Sequence, residues 1–325
     1  MNRFRYVIGA VALLGAAALG SSASYAADKI CVAYHSSAAT FNVVDREAKA
    51  ARAKELGIEI VQADATEDAD KQTQQIRDFV TAGCTGLIVQ AVDATATGVA
   101  VKELAKSNIP VVTGDRFVDL PYGGADGDNP KAHVGWSDFD RGKLEGDIAI
   151  KACGDKNPCN IVLEEGTAGS APQIEITRGI EAAIADKPAI KIIEKQNHNF
   201  DPAQAVTVTE AILTKYPKGS IDVIVSHDDN TAIAALGAAE SAGRTEIAFV
   251  GSGGSKAATD AIAAGKMYGT SMISPTAFGR LAVETIVHLM HHEPITTVVQ
   301  DGRATVPMTL LLVTKDNVKD HPGEW

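Results

Sequence analysis

The stretch Ile109-Pro110-Val111-Val112-Thr113-Gly114-Asp115-Arg116 decides the fold class of this chain. An apolar run of strand length follows a helix-like segment and ends in a glycine, an acid and a base, which is typical of a buried strand in a parallel sheet. Ligands of open α/β sheets lie beyond the carboxyl ends of the strands. Asp115 and Arg116 are therefore candidates for binding a polar small molecule. The alternative interpretation is a surface salt bridge between them.

Strand and helix patterns alternate on both sides of this stretch. Short apolar runs at 30–34, 58–63, 87–90 and 111–113 predict strands, and the segments between them predict helices. The alternation implies right-handed βαβ crossovers and a parallel sheet.

The same alternation occurs a second time along the chain. A Gly- and Pro-rich loop over 119–131 interrupts it, and it resumes with a strand at 133–136. It continues to a helix over 277–291 and a β segment over 305–312. The predicted fold class is α/β, with two doubly wound, Rossmann-like lobes of parallel sheet.

The first 26 residues have the features of a secretion signal. Arg3 and Arg5 precede an apolar core over 7–19, and Ser24-Tyr25-Ala26 fits a small-x-small cleavage site. The core is too short for a stable membrane span, and no later stretch is long and apolar enough. We expect a soluble exported protein that begins near Ala27 or Asp28 and resides in the periplasm.

Charge and cysteine content narrow the function classes further. A formal net charge of -11 argues against a nucleic-acid partner. Export makes disulfides possible. Cys153 and Cys159 flank a predicted turn and could pair locally, and Cys31 and Cys84 could pair if their strands are neighbours. No histidine lies at zinc-ligand spacing from these cysteines, so we predict no metal and no cofactor.

Polar segments follow the predicted carboxyl ends of six strands. Two sheets facing each other would bring all six to one cleft. The segments are His35-Ser36-Ser37, Gln90 to Asp93, Asp115-Arg116, Glu164 to Ser170, Ser226 to Asn230 and Ser252 to Ser255.

Each of these segments also has a purely structural interpretation. His35 could face a ligand or solvent. One of Asp228, Asp229 and Asn230 is expected to cap a helix, and a second acid there exceeds what a cap requires. The turn over 251–255 fits a tight βα connection capped by Ser255 better than an anion site, and it lacks a P-loop ending.

Three aromatic residues are candidate walls for a sugar ring, whose CH faces pack on aromatic faces. They are Phe41, Trp136 and Phe200. Core packing is the alternative for each of them.

In their order and spacing, several motifs resemble the type I periplasmic solute-binding proteins of carbohydrate ABC importers, in the ribose- and galactofuranose-binding group. The resemblance covers nearly the whole mature chain. Its motifs are Val111 to Arg116, Asp140-Arg141-Gly142-Lys143-Leu144-Glu145-Gly146-Asp147, Asn199-Phe200-Asp201, Ser226-His227-Asp228-Asp229 and Gly265-Lys266-Met267-Tyr268.

The resemblance implies two lobes joined by three hinge strands, with a small carbohydrate bound between them and delivered to a membrane permease. We expect the first lobe to comprise 28–136 and 276–297, and the second 137–275 and 298–325. The protein would be a monomer without catalysis. The candidate ligand-binding residues are His35, Phe41, Asn42, Gln90, Asp115, Arg116, Trp136, Gln173, Phe200, Asp228 and Ser252.

The resemblance breaks at several positions that would face the ligand. Many members of the family that the chain resembles have other residues where this chain has Ala39, Asn42, Ile176, Ser252, Gly253 and Ile273. Because an unpaired buried hydroxyl costs about 1–3 kcal/mol, these departures predict a ligand other than ribose. A sugar alcohol, furanose, deoxy sugar, monosaccharide, sugar phosphate or sugar acid all stay open.

Two other functions are compatible with the sequence. A sensory receptor subunit for chemotaxis or a sensor kinase would bind the same ligand. A secreted hydrolase would need a nucleophile elbow, which is missing from the sequence.

Overall fold

The computed structural model describes residues 28–38, 40–123 and 130–325. Its strands are β1 (Lys29–Tyr34), β2 (Glu59–Asp64), β3 (Gly86–Val89), β4 (Val111–Gly114), β5 (Ala132–Gly135), β6 (Cys159–Glu165), β7 (Ile190–Asn197), β8 (Val223–Ser226), β9 (Ala248–Gly253), β10 (Gly269–Met272), β11 (Val298–Gln300), β12 (Arg303–Pro307) and β13 (Leu311–Thr314). Its α-helices are α1 (Thr40–Glu55), α2 (Ala69–Thr81), α3 (Ala94–Glu103), α4 (Asp138–Cys153), α5 (Ala171–Ile184), α6 (Pro202–Lys215), α7 (Asp229–Ser241), α8 (Lys256–Ala263) and α9 (Pro275–Met290).

The strands form two separate sheets. The first has the order β11-β12-β5-β4-β3-β1-β2, and the second has the order β13-β10-β9-β8-β6-β7. Neighbouring strands run parallel, apart from the antiparallel pairs β11/β12 and β10/β13. The predicted α/β class with two doubly wound lobes is confirmed.

Each sheet is buried on both faces, which explains the continuous apolar runs in the sequence. In β1, Ile30 and Val32 pack in a core with Phe278 of α9. The alternate residues Cys31 and Ala33 pack on the opposite face, in a core that includes residues of α2 and α3. The second sheet has its own core on each face.

The chain passes between the two sheets at three places. These are the connections from β5 to α4, from β10 to α9 and from β12 to β13. The boundary predicted at residue 298 differs from the observed pairing, because β11 and β12 belong to the first sheet through pairing of β12 with β5. The β segment predicted over 305–312 is likewise divided between β12 and β13, in different sheets.

Both predicted disulfides are present. Cys31 and Cys84 are bonded with a Cα–Cα distance of 5.9 Å, and Cys153 and Cys159 with one of 5.7 Å. The first bond links β1 to the start of β3, which pair side by side. This is the neighbouring-strand arrangement on which the prediction depended.

Glycines let two helices of the second lobe approach closely. A Cβ on Gly142 of α4 would overlap the backbone oxygen of Ile176 in α5, and one on Gly179 of α5 would overlap the backbone oxygen of Phe139. Ile176 itself is fully buried in the core beside α4. It therefore supports the lobe from within.

Two predictions lie on residues that the structure does not describe, namely the signal peptide over 1–26 and the substitution at Ala39. In the described ranges, none of the helices is both long and apolar enough to cross a bilayer. The described residues also contain no group of three or more His, Cys, Asp or Glu side chains arranged to hold a metal ion.

Candidate ligand-binding site

A cleft of about 740 Å³ lies between the two lobes, at the carboxyl ends of both sheets. Most of the predicted site residues line it. From the first lobe and its connection to α4 these are His35, Phe41, Asn42, Asp115, Arg116 and Trp136, and from the second lobe Phe200, Asp228 and Ser252.

The first-lobe wall is a network of paired charges. His35 contacts Glu67 through Nδ1 at 2.8 Å, and its Nε2 lies 3.6 Å from Oδ2 of Asp115. Arg116 donates from Nη1 to Oε2 of Glu67 at 3.2 Å. Asn42 approaches Nε2 of His35 with its own Nδ2 at 3.2 Å. The network fixes the side chains that face the cleft before a ligand arrives.

These contacts also set the protonation states of the first-lobe groups. Burial alone would lower the pKa of His35, but its interactions with the carboxylates of Asp115 and Glu67 outweigh burial and raise it. Burial opposes ionisation of Asp115, yet its interaction with His35 lowers the pKa of that carboxyl. The hydrogen bond from His35 is the main reason that the pKa of Glu67 falls to about 2. The carboxyl groups of Asp115 and Glu67 are therefore ionised at neutral pH.

Four residues that line the cleft have a backbone conformation that non-glycine residues rarely adopt. Their φ angles are 59° at Glu67, 57° at Asp115, 54° at Asn199 and 57° at Phe200. A Cβ on Gly114, directly before Asp115, would lie 2.7 Å from the ring of Phe278. A Cβ on Gly166 would overlap the ring of Phe200. Gly114 and Gly166 therefore leave room for the rings of Phe278 and Phe200. Backbone strain of the kind seen at Asp115 and Phe200 is concentrated at functional sites.

The second-lobe wall contains acids that are held by a helix terminus and by hydroxyls. Asp228 caps α7, and its Oδ1 accepts from the backbone N–H groups of Asn230 and Thr231 at 2.8 and 3.1 Å. Asp229 behind it accepts from Ser255 N at 2.6 Å and from Thr270 Oγ1 at 2.7 Å. Burial raises the pKa of Asp228 to about 7, with the charge of Asp229 adding to the effect. Burial likewise raises the pKa of Asp229 to about 6.

The 251–255 turn has the helix cap that the sequence predicted at Ser255. Ser255 caps α8 by accepting from Ala258 N at 3.1 Å. Gly251 makes room for Asp229, whose Oδ1 a Cβ would overlap. Ser252 lines the cleft, and its hydroxyl lies 3.3 Å from that of Ser271, which donates to Glu145 at 2.8 Å.

Aromatic rings form the apolar walls. Phe41 packs edge-to-face against Trp136, with centroids 6.0 Å apart, and against Trp325, with centroids 5.8 Å apart. Phe200 lines the cleft from the second lobe. Such rings suit the CH face of a sugar, and edge-to-face packing fixes their orientation.

Two predicted site residues lie away from the cleft. Gln90 is fully buried, and its Nε2 donates to Oδ2 of Asp45 at 2.9 Å. Gln173 donates to Glu165 at 3.2 Å and accepts from Gly169 N at 3.1 Å. Gln90 does follow the end of a strand, as the sequence predicted, but its side chain points into the first lobe rather than into the cleft.

Sequence reasoning missed several residues that line the cleft. Arg141 of α4 lies there and pairs with Asp138 at 3.1 Å. His227 and Trp325 also line it. Arg141 and His227 belong to motifs that carried the family resemblance, so a signal for both was present. Trp325 had no such signal.

Several cleft residues carry buried polar atoms without a hydrogen-bond partner in the described part of the chain. These atoms are Asn42 Oδ1, Arg141 Nε, His227 Nδ1 and Nε2, and Trp325 Nε1. Burial lowers the pKa of His227 well below its ordinary value, so its neutral ring offers one donor and one acceptor. The cleft thus presents donors and acceptors together, beside aromatic surfaces.

Comparison with known proteins gives a consistent match. The sequence model of the periplasmic binding protein domain matches residues 30–294. The ribose import binding protein of Haemophilus influenzae is 28% identical over 307 residues, which cover 94% of this chain and 98% of that protein. The xylitol-binding protein of Mycolicibacterium smegmatis is 27% identical over 319 residues, covering 96% of this chain and 86% of that protein.

A solved structure matches along most of the chain as well. The Caulobacter myo-inositol binding protein bound to myo-inositol has a TM-score of 0.78 and is 25% identical. The match covers 90% of this chain and 95% of that one.

Proposed function

The chain belongs to the periplasmic binding protein family, and we propose that it captures a small, neutral, polyhydroxylated carbohydrate for an ABC importer. A monosaccharide or a cyclic or linear polyol would bind between the lobes and be delivered to a membrane permease. Relatives named for ribose import and xylitol binding support this class of ligand.

The observation that carries the proposal is the set of unpartnered buried polar atoms in the cleft. Asn42, Arg141, His227 and Trp325 together offer acceptors and donors. A buried polar group without a partner costs about 1–3 kcal/mol, so these groups favour a ligand that satisfies both kinds. Each hydroxyl of a sugar donates one hydrogen bond and accepts others.

The charges of the cleft favour a neutral ligand over a sugar acid or phosphate. Glu67, Asp115, Asp138, Asp201 and Asp228 line it, against the guanidinium groups of Arg116 and Arg141. Arg116 is paired with Glu67 and Arg141 with Asp138. An added anion would compete with these carboxylates, whereas hydroxyls donate to them.

Binding would proceed by closure of the lobes around the three connections. We assign residues 28–136 and 275–307 to the first lobe, and 137–274 and 308–325 to the second. Pocket residues from both lobes, such as Asp115 and Asp228, would then contact opposite sides of one ligand. We further propose that the protein is exported to the periplasm, acts as a monomer and binds no nucleic acid.

The proposal includes no catalysis. Ser252, one of the two serines among the described residues that line the cleft, has its hydroxyl 3.3 Å from that of Ser271.

A thermal-shift screen of the mature chain tests the proposal. The panel comprises D-ribose, D-allose, xylitol and myo-inositol, with ribose 5-phosphate and gluconate as anionic comparators. We expect a neutral member to raise the unfolding temperature, because ligand binding to the folded state stabilises it. Stabilisation by an anionic comparator alone would contradict the neutral-ligand assignment, and no response to any neutral compound would contradict the carbohydrate proposal.

A further inference from the structure

The segment 320–325 reaches into the cleft and places the Trp325 indole there. Trp325 lines the cleft beside Phe41 of the first lobe, with ring centroids 5.8 Å apart at an interplanar angle of 89°. On its other side it contacts the second lobe at Gly253. One side chain thus touches both halves of the site.

The chain holds this segment in place with specific contacts. The backbone oxygen of Trp325 accepts from Lys256 N at 2.6 Å. Gly323 N donates to Oγ1 of Thr259 at 3.0 Å. The carboxylate of Glu324 accepts from Oγ of Ser274 at 2.7 Å. The last contact joins the segment to the connection between β10 and α9.

Gly253 provides the space for the indole. Its φ is 127°, a conformation that residues with a side chain rarely adopt. A Cβ on Gly253 would lie 2.7 Å from Cζ2 of Trp325. Glycine at position 253, the last residue of β9, therefore leaves room for the indole ring, whereas a residue with a side chain at this position would collide with it.

The indole N–H lacks a partner inside the described structure. Nε1 of Trp325 is buried and donates to no group among the described residues. Buried Trp N–H groups usually have a hydrogen-bond partner. A ligand hydroxyl in the cleft would supply one.

We infer that Trp325 is a specificity-determining residue, whose ring packs on an apolar CH face of the carbohydrate and whose N–H donates to one of its hydroxyls. The inference rests on the proposed function. It extends the site to a part of the chain more than 180 positions from the first-lobe wall in sequence, and it assigns Gly253 the role of seating the indole.

Calorimetric titration with the panel member that most stabilises the wild-type protein, among D-ribose, D-allose, xylitol and myo-inositol, tests this inference. We expect Trp325→Ala to weaken binding at least about tenfold, because both the aromatic surface and the donor are lost. Trp325→Phe should lose less, since it keeps a ring. Gly253→Ala should lower the affinity to a similar extent as Trp325→Ala. The double variant should bind no more weakly than the single variant with the lower affinity.

Tyr268→Ala is the matched control, because Tyr268 is a partly exposed aromatic residue of the second lobe outside the cleft. Unchanged affinity of Trp325→Ala would overturn the inference while the proposed function stood. Tighter binding would also overturn it, by showing that the indole occupies the place of the ligand. Absence of binding in the wild-type protein would remove both proposals. If Trp325→Ala fails to fold, the Phe and Gly253 variants decide the outcome.

Discussion

The two lobes share one architecture but hold several of their acids in different ways. In the first lobe, acids are paired with cations, as in Asp45 with Lys49 and Glu67 with His35 and Arg116. In the second lobe, the buried acids Asp229 and Glu164 accept hydrogen bonds from hydroxyl and backbone groups instead.

The difference shows in the pKa shifts of the acids that contact His35, whereas burial raises the pKa of Asp45 despite its pairing with Lys49. Hydrogen bonding to His35 lowers the pKa of Glu67 to about 2. Burial raises the pKa of Asp229 to about 6 and that of Glu164 to about 8. A partner of opposite charge favours the charged form, whereas burial with neutral donors favours the protonated form. The first-lobe wall of the cleft thus holds ionised carboxylates, whereas the charge of the second-lobe wall depends on pH.

The largest expected effect comes from breaking a charge pair of the first lobe. Lys49 and Asp45 are both fully buried. Lys49→Met leaves the Asp45 carboxylate uncompensated and should lower the free energy of unfolding by about 3–5 kcal/mol. Asp229→Asn in the second lobe should cost only about 1–2 kcal/mol, because the amide can still accept from Ser255 and donate to Thr270. Urea denaturation of both variants measures the difference.

The double variant Asp45→Leu with Lys49→Met is the control for that pair. Removing both charges should restore most of the stability, since an apolar pair can replace a buried ion pair. Equal destabilisation by Lys49→Met and Asp229→Asn would contradict the contrast between the lobes.

A smaller effect is expected on ligand affinity. Asp115→Asn removes the charge that pairs with His35 and should weaken binding about 100-fold, since hydrogen bonds to charged groups contribute about 1.5–3 kcal/mol. Asp228→Asn should weaken it about tenfold or less, because a carboxyl with a pKa of about 7 is partly protonated already. Asparagine also caps helices as well as aspartate does.

Calorimetry with the same panel compound compares the two variants, and thermal unfolding without ligand confirms that both are folded. A loss in Asp228→Asn as large as that in Asp115→Asn would remove the distinction between the two walls.

The smallest expected effect concerns the pH dependence of stability. Burial raises the pKa of Glu164 from 4.5 in the unfolded chain to about 8. The contribution of the protonated Glu164 carboxyl to the stability of the fold is therefore complete below about pH 4.5 and is lost as the pH rises through about 8. Glu164→Gln should therefore reduce the fall in stability between pH 5 and pH 8 by at least about 1 kcal/mol.

Glu67→Gln is the comparison from the first lobe. Because the pKa of Glu67 is lowered to about 2, its contribution is present above about pH 4.5 and is lost as the pH falls through about 2. Denaturant midpoints from pH 2 to pH 9 should show the first variant altering the neutral limb and the second the acid limb. A Glu164→Gln curve parallel to the wild-type curve above pH 5 would contradict the assignment.

Much of the fold and part of the cleft followed from local sequence patterns. The strand ends at Asp115 and Asp228 were located correctly, because an apolar run followed by polar residues marks a strand end wherever it occurs. Gln90 shows the limit of this reasoning. It also follows a strand, yet it points inward to Asp45, because the backbone angles after the strand decide which way a side chain turns.

Strand pairing at the sheet edges was equally beyond the sequence. The pattern near residue 305 predicted one β segment, whereas β12 joins the first sheet and β13 the second. A short strand carries too little pattern to choose between two free edges. The packing of the lobes makes that choice.

By itself, the amino-acid sequence determined the alternation of strands and helices, the two lobes and the polar strand ends that form a cleft. These properties depend on hydrophobic period, caps and turns, which are local. Only the tertiary structure decided that Trp325 lies beside Phe41, that Arg141 and His227 face the cleft with unpartnered atoms, and that acids on opposite walls differ in pKa. Those properties depend on burial and on contacts between distant residues, which a local pattern does not contain.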